Sequence, residues 1–434
     1  MNDNTSTNPK VRIINIGCKV NFADSSRLKQ LLIEADFDIT NSEPDADIIL
    51  INTCAVTNHS EAESRQIVRR AKKNNPKAYI GVLGCYAQLH PEDILSTTGA
   101  DVVYGINEKF KIPELLKQRH SQATLVTTID NTRFEPSYSA VLEYRTRAFV
   151  KLQDGCNSRC TYCTVPNARG NSRCIEFSEI TPLFNNLVKA KYKEIVVSGI
   201  NLSDYKATTG ECFHDLVKLL SKFDADVRFR ISSIEPHTID EQLISLIASS
   251  HNICPHFHIP LQSGSDEILQ QMHRRYNTTQ FRKSIELINE YLPNAFIGLD
   301  VIAGFPGETE ANFRETKAFI EALNISEMHC FTYSKRDGTP AATMPNQIDK
   351  RIKKNRTNEL IAISKQKHIE FLNNNINKTV RILTEKYNAL ANCSLGHSDN
   401  YISCIIKHTD VQNNEFRNAT ITKIANDTAV CELL

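Results

Sequence analysis

The sequence predicts an α/β protein in three regions: an N-terminal doubly wound α/β domain, a central partial (β/α)6 barrel and a small C-terminal β-barrel. Three observations predict it. Up to Gln122, short β-branched apolar runs alternate with helical stretches, the pattern of buried parallel strands and their crossovers. Six more such runs, separated by amphipathic helical segments, follow between Ala148 and Tyr333. Beyond Asn374 only short alternating segments remain. The boundaries that result are 1–122, a polar linker 123–143, then 144–372 and 373–434.

Within the N-terminal domain a strand-then-cysteine unit recurs three times. VRIINIG runs into Cys18, DIILINT into Cys54 and AYIGVLG into Cys85, with helices expected over Asp24–Ala35 and Glu61–Lys73. Loops after parallel strands gather at the carboxyl edge of such a sheet, so the three cysteines should converge there. The central domain offers strands at Ala148–Gln153, Glu194–Gly199, Val227–Ser232, His256–Leu261, Phe296–Ala303 and Met328–Tyr333. Helices are expected at Ser178–Ala190, Phe213–Phe223 and Glu310–Leu323, and chemistry at the strand C-termini. Asp349–Asn374 reads as one long basic helix, and TVRILTE, NYISCIIKHT, NATITKI and DTAVCELL as barrel strands.

Composition narrows the class. The 434 residues are 41% hydrophobic and 23% charged, which excludes general disorder. Apolar runs such as Ile48–Ile51 are far shorter than the ~18 residues that span a bilayer, so no membrane role is expected. The polar first ten residues lack an apolar signal core, which points to the cytoplasm. A net charge of +1 means that any nucleic acid must be held by local basic patches. Thirteen cysteines, an odd number, argue for reduced thiols and metal over a disulfide framework.

Cys156-Asn-Ser-Arg-Cys160-Thr-Tyr-Cys163 directly follows the first barrel strand. Three thiolates within eight residues suit an iron–sulfur cubane and leave one iron open, the vacancy that a bidentate amino-acid ligand needs. The alternative is a zinc site lacking its usual fourth ligand. Cys18, Cys54 and Cys85 occupy equivalent places in three consecutive units, which three chance core cysteines would not. Gly17 and Gly84 leave room beside them for a bulky group. Cys174, Cys212, Cys254, Cys330, Cys393, Cys404 and Cys431 fit neither triad and read as structural.

CxxxCxxC opening a barrel resembles the radical S-adenosylmethionine (SAM) enzymes. With the preceding triad and the terminal β-module, the chain resembles the radical SAM methylthiotransferase family along nearly its whole length. Gly17–Asn21, Asn52–Asn58, Ser198–Tyr205 and Ile231–Pro236 are closest to the MtaB-type tRNA N6-threonylcarbamoyladenosine methylthiotransferases. The resemblance implies a radical-SAM barrel, a TRAM-like RNA-binding terminal barrel, two 4Fe–4S clusters and SAM. It implies cluster ligation by Cys156, Cys160 and Cys163 and by Cys18, Cys54 and Cys85, with no catalytic residue beyond these ligands. Tyr162, Ser198, Gly199, Glu235, Gln262, Ser263 and Asp300 are expected around SAM, although Gln262–Asp266 equally reads as a helix start. The implied reaction adds a methylthio group to adenine C2, next to the anticodon of a tRNA. The threonylcarbamoyl carboxylate calls for a cation, with Arg169, Arg274, Arg275 and Arg336 as candidates. Arg145, Arg147, Arg173, His273 and Lys335 add loop charge for RNA. Implied partners are the tRNA anticodon loop, an electron donor such as flavodoxin or ferredoxin, and a sulfur source. Rival readings are the same chemistry on isopentenyladenosine or on a ribosomal-protein aspartate, and an iron–sulfur RNA-binding or redox-sensing protein.

Overall fold

The structure is a computed structural model that describes residues 8–118, 123–132, 134–139, 146–388, 390, 392–407 and 412–434. Six parallel strands form the N-terminal sheet: β1 (Lys10–Asn15), β2 (Asp38–Ile39), β3 (Ile48–Thr53), β4 (Tyr79–Gly84), β5 (Val102–Tyr104) and β6 (Ala123–Leu125), in the order β2-β1-β3-β4-β5-β6. Period-two alternation divides β3 between two cores. Ile48 and Leu50 join Leu28 and Leu32 on one face, while Ile49 and Ile51 join Val68 and Ala71 on the other. The sheet is therefore doubly wound. Its last strand starts at Ala123, where a linker was expected. Its first helix spans Lys19–Glu34, five residues earlier than the sequence suggested, because Cys18 itself occupies the N-cap.

The central strands are β7 (Arg147–Asp154), β8 (Arg173–Cys174), β9 (Glu194–Gly199), β10 (Arg228–Ile231), β11 (His256–Gln262), β12 (Phe296–Ala303) and β13 (Glu327–Thr332). They form two sheets, β10-β9-β7-β8 and β11-β12-β13, stitched by parallel bridges at Phe229–Ile253 and Ser233–His258. The six parallel strands curve into an open barrel, since among the described residues β13 pairs only with β12, and the extra β8 runs antiparallel to β7. Outward positions such as Ile195, Phe257 and Leu299 pack under the helices. Inward positions are largely polar, including Glu194, Arg230, His256, His258, Asp300 and His329. That face does not form a dry core.

The helix Lys19–Glu34 covers the β7 side of the opening, where Phe22 meets the inward Phe149 edge-on with ring centroids 4.8 Å apart. At the other end, Lys350–Asn374 runs as one helix capped by Asp349, which accepts from Arg351 N at 2.8 Å. It leads to β14 (Thr379–Asn388), β15 (Cys393–Ser398), β16 (Ser403–Ile406), β17 (Phe416–Ala425) and β18 (Thr428–Leu433), closed in the order β14-β15-β16-β18-β17. This small barrel plugs the N-terminal end of the central one. Arg228 donates to Asp399 Oδ1 at 2.5 Å and to His397 O at 3.0 Å, and Arg230 donates to Asp399 O at 2.8 Å. Buried Glu194 lies between the two guanidiniums, which hold its carboxyl far below the usual carboxylate range despite desolvation.

Candidate active site

The N-terminal triad is built by the sheet. Cys18, Cys54 and Cys85 follow β1, β3 and β4, three adjacent strands in register, so their loops meet at one edge. Gly17 (φ +107°) and Gly84 (φ +98°) make the close approaches possible. A Cβ on Gly17 would sit 2.7 Å from Cys54 Cβ, and one on Gly84 would sit 2.4 Å from Thr53 O. Asn21 clamps the loops by donating to Ile16 O and Thr53 O, both at 2.9 Å, and Asn52 returns a bond to Asn21 O at 2.9 Å. Burial, reinforced by neighbouring Cys85 and Cys18, pushes the Cys54 thiol up to about 12.

The barrel triad is built by one loop. Cys156 N donates to Gly170 O at 3.0 Å, and Cys163 N closes a turn on Cys160 O at 3.1 Å. Gly155 (φ +73°) lets the chain leave β7, since a Cβ there would lie 2.0 Å from Asn171 O. Burial pushes the Cys163 thiol up to about 12. Among the described residues, the group of three His, Cys, Asp or Glu ligand atoms within 4.8 Å of one another is His258, Asp300 and His329; neither triad meets that spacing. Each triad offers three thiols and no nitrogen or carboxylate oxygen, and soft thiols are the donors that a multi-iron group takes.

A cavity of about 170 Å³ lies against the second triad. Val56 and Thr57, two and three residues after Cys54, form its N-terminal wall, while Tyr162, Cys163, Gln262 and Asp300 line it from the barrel. Of the residues expected around SAM, Tyr162, Gln262 and Asp300 line this cavity. Gln262 sits at a bulge in β11 with φ +63°. The others do not line the cavity. Ser198 Oγ donates to Val150 O at 2.9 Å, and Ser263 Oγ faces Thr316 Oγ1 at 3.3 Å and accepts from Ser265 N at 3.2 Å. Gly199 abuts Gln153, and Glu235 pairs with Arg274 Nη2 at 2.5 Å. The helix-start reading of Gln262–Asp266 also has its counterpart, since Ser265 is the N-cap of Asp266–Gln271.

Three of the four arginines expected to meet a substrate carboxylate already have protein partners. Arg169 is 1% exposed and is held by Asp24, Asp154 and Asn21. Arg274 serves Glu235, and Arg336 is spent on Glu61 and Asn58. Their buried polar partners make these arginines components of the scaffold. Arg275 is exposed, and Arg145 lies outside the described residues. Sequence reasoning missed Lys19, which adjoins Cys18 and sits one turn before Phe22, the residue that enters the barrel opening. Its side chain is exposed, yet desolvation by the surrounding walls lowers its pKa, aided by Arg230 and Arg147 and opposed by Glu194 and Asp300. It also missed His258 and His329, which join the expected Asp300 on the inward face. Asp300 lies 3.0 Å from His258 Nε2 and 3.3 Å from His329 Nδ1, bonds that keep its carboxyl low against burial. The alternation His256-Phe257-His258 within a strand is the signal that could have found His258.

Two family models match: "Uncharacterized protein family UPF0004" over residues 10–105 and "Radical SAM superfamily" over 150–320. The chain is 39% identical to the threonylcarbamoyladenosine tRNA methylthiotransferase MtaB of Bacillus subtilis, covering 91% of this chain and 90% of that one. The Aquifex aeolicus MtaB is 35% identical over 91% and 95%. The chain belongs to the radical SAM methylthiotransferase family. Within it, a tRNA-2-methylthio-N(6)-dimethylallyladenosine synthase of Alkaliphilus oremlandii is 32% identical over 88% of this chain and 83% of that one. Among solved structures, the radical SAM methyltransferase TsrM of Kitasatospora setae superposes with TM-score 0.56 at 13% identity, covering 77% and 74%. That likeness is one of fold.

Proposed function

We propose that this methylthiotransferase modifies tRNA, adding a methylthio group to C2 of N6-threonylcarbamoyladenosine next to the anticodon. The observation that carries the reading is one cavity walled by Cys163 on one side and by the residues after Cys54 on the other. Cys156, Cys160 and Cys163 would hold the 4Fe–4S cluster that binds SAM, and Cys18, Cys54 and Cys85 the sulfur-handling cluster. When bound, these groups supply one-electron SAM cleavage and sulfur transfer, which protein side chains cannot perform. The chain's own residues position and exclude water. Tyr162, Gln262 and Asp300 form the SAM wall, and Lys19 is the cation offered to the threonylcarbamoyl carboxylate, with Arg275 at the rim.

The anticodon loop would splay its adenine into the barrel mouth, where an unstacked base is readily held. The terminal β-barrel would grip the flanking RNA. An electron donor such as flavodoxin or ferredoxin and a sulfur source complete the system, which we place in the cytoplasm. Among the described residues no helix is long and apolar enough to cross a membrane. A second reading, the isopentenyl substrate, is favoured by the apolar Val56, Ile302 and Phe331 in the cavity wall. Anaerobic reactions with SAM and dithionite on two tRNAs, one carrying each modified adenosine, decide between them. Methylthiolation of the threonylcarbamoyl tRNA is expected. Product only on the isopentenyl tRNA, or on neither, overturns the assignment.

A further inference from the structure

Two arginine side chains donate hydrogen bonds to sulfurs of the two triads. Arg274 Nη1 reaches Cys160 Sγ at 3.3 Å within the barrel. Arg169 Nε reaches Cys85 Sγ at 3.1 Å, and this bond crosses from the barrel to the N-terminal domain. Arg169 ends the short helix Val165–Arg169 that follows the barrel's cysteine loop, while Cys85 opens the short helix Cys85–Leu89 just after β4 of the N-terminal domain. A residue tied by sequence to one triad thus touches the other.

The surroundings make this contact more than incidental. Arg169 Nη1 donates to Asp154 Oδ1 at 2.9 Å and Asp24 Oδ2 at 3.3 Å, and Nη2 donates to Asn21 Oδ1 at 2.6 Å. Lys109 and Lys151 pair with the same carboxylates, at 2.8 Å and 2.7 Å from Asp24. All five charged side chains are at most 6% exposed. Three cations therefore face two carboxylates, an excess positive charge that a buried site must neutralise. Arg169 Nε–H, part of this cationic group, is aimed at the Cys85 sulfur. With a cluster bound, Cys85 would be the thiolate that balances the group.

We propose that Arg169 is a positioning residue that poises the iron–sulfur site of Cys18, Cys54 and Cys85, making it easier to reduce through the bond to Cys85. The proposal rests on the reading that these cysteines hold a cluster. Reduction adds one electron and one negative charge without breaking a bond, and a buried guanidinium with an N–H···S bond favours the more negative state. The reaction has a use for this. Joining a methanethiolate sulfur to a carbon radical forms one C–S bond and leaves one electron over, which the oxidised site takes up as the bond from sulfur to iron breaks. Arg169 improves that acceptor.

The test uses the full chain with Cys156, Cys160 and Cys163 changed to Ala, so that only the N-terminal site remains. Arg169→Lys keeps the charge for Asp24 and Asp154 but withdraws the Nε–H. The expected result is unchanged iron content and an EPR-monitored midpoint shifted to more negative potential; an unmoved midpoint overturns the proposal. Should R169K fail to load iron, pulsed EPR on the 15N-arginine-labelled parent decides. A 15N coupling to the reduced site supports the bond, and its absence overturns it. A parent that holds no iron at all overturns the cluster reading itself, a distinguishable failure that removes the proposal too.

Discussion

The two cysteine triads reach similar chemistry by opposite routes. Cys156, Cys160 and Cys163 lie in one eight-residue loop, and local turns such as Cys163 N to Cys160 O set their geometry. Cys18, Cys54 and Cys85 are assembled by three strands and held by side chains from elsewhere, Asn21 and Asn52 above all. A loop-built site depends on a few backbone bonds, whereas a fold-built site depends on the register of a whole sheet. The second is therefore the more exposed to distant substitutions.

The largest effects should come from the ligands. Changing Cys156, Cys160 and Cys163 to Ala should abolish 5′-deoxyadenosine formation and leave roughly half the iron, whereas the Cys18, Cys54, Cys85 triple variant should keep SAM cleavage and lose methylthiolation. Undiminished SAM cleavage by the first variant would contradict the division of labour. Next, Asp24→Ala leaves three buried cations with Asp154 as their one remaining carboxylate and should cost about 3–5 kcal/mol, read as a lowered denaturant midpoint. The exposed pair Lys193–Asp226 provides the contrast, at less than about 1 kcal/mol.

Lys19→Ala should lower kcat/KM for the threonylcarbamoyl tRNA tenfold to a hundredfold, about 1.5–3 kcal/mol, with SAM cleavage intact. Equal loss on the isopentenyl tRNA would remove Lys19 from carboxylate recognition. The smallest effect is a matter of protons. Burial keeps Cys54 and Cys163 protonated in the empty chain, with pKa values pushed up to about 12. Iron loading near pH 7 must therefore expel about one proton per ligand thiol and become tighter as pH rises. Proton release measured in weak buffer, and chelator competition at two pH values, check this; pH-independent loading would refute it.

Much of the fold was legible because strand and helix periods repeat without ambiguity. β2 and β5 were not, being only two and three residues long. Both triads stood out in the sequence, one by spacing and one by equivalent positions in repeated units. The internal partners of Arg169, Arg274 and Arg336 were not legible, for a physical reason. A guanidinium near a strand end looks the same in sequence whether it meets a substrate or an internal carboxylate, and Arg169 meets Asp154 across only fifteen positions but Asp24 across far more. Lys19 was overlooked because the role proposed for it depends on where Phe22 meets Phe149 at the barrel opening, a tertiary fact.

The charge group at Arg169 also bears on how the halves stay together. Asp24 and Lys109 come from the N-terminal domain, and Lys151, Asp154 and Arg169 from the barrel. Apart, each set would be comfortably hydrated; together, they give up that water. Docking is then favoured chiefly because one polypeptide keeps both sets at high effective concentration. Two separately expressed halves should reassociate weakly, and the covalent connection between them itself helps to hold the active site closed.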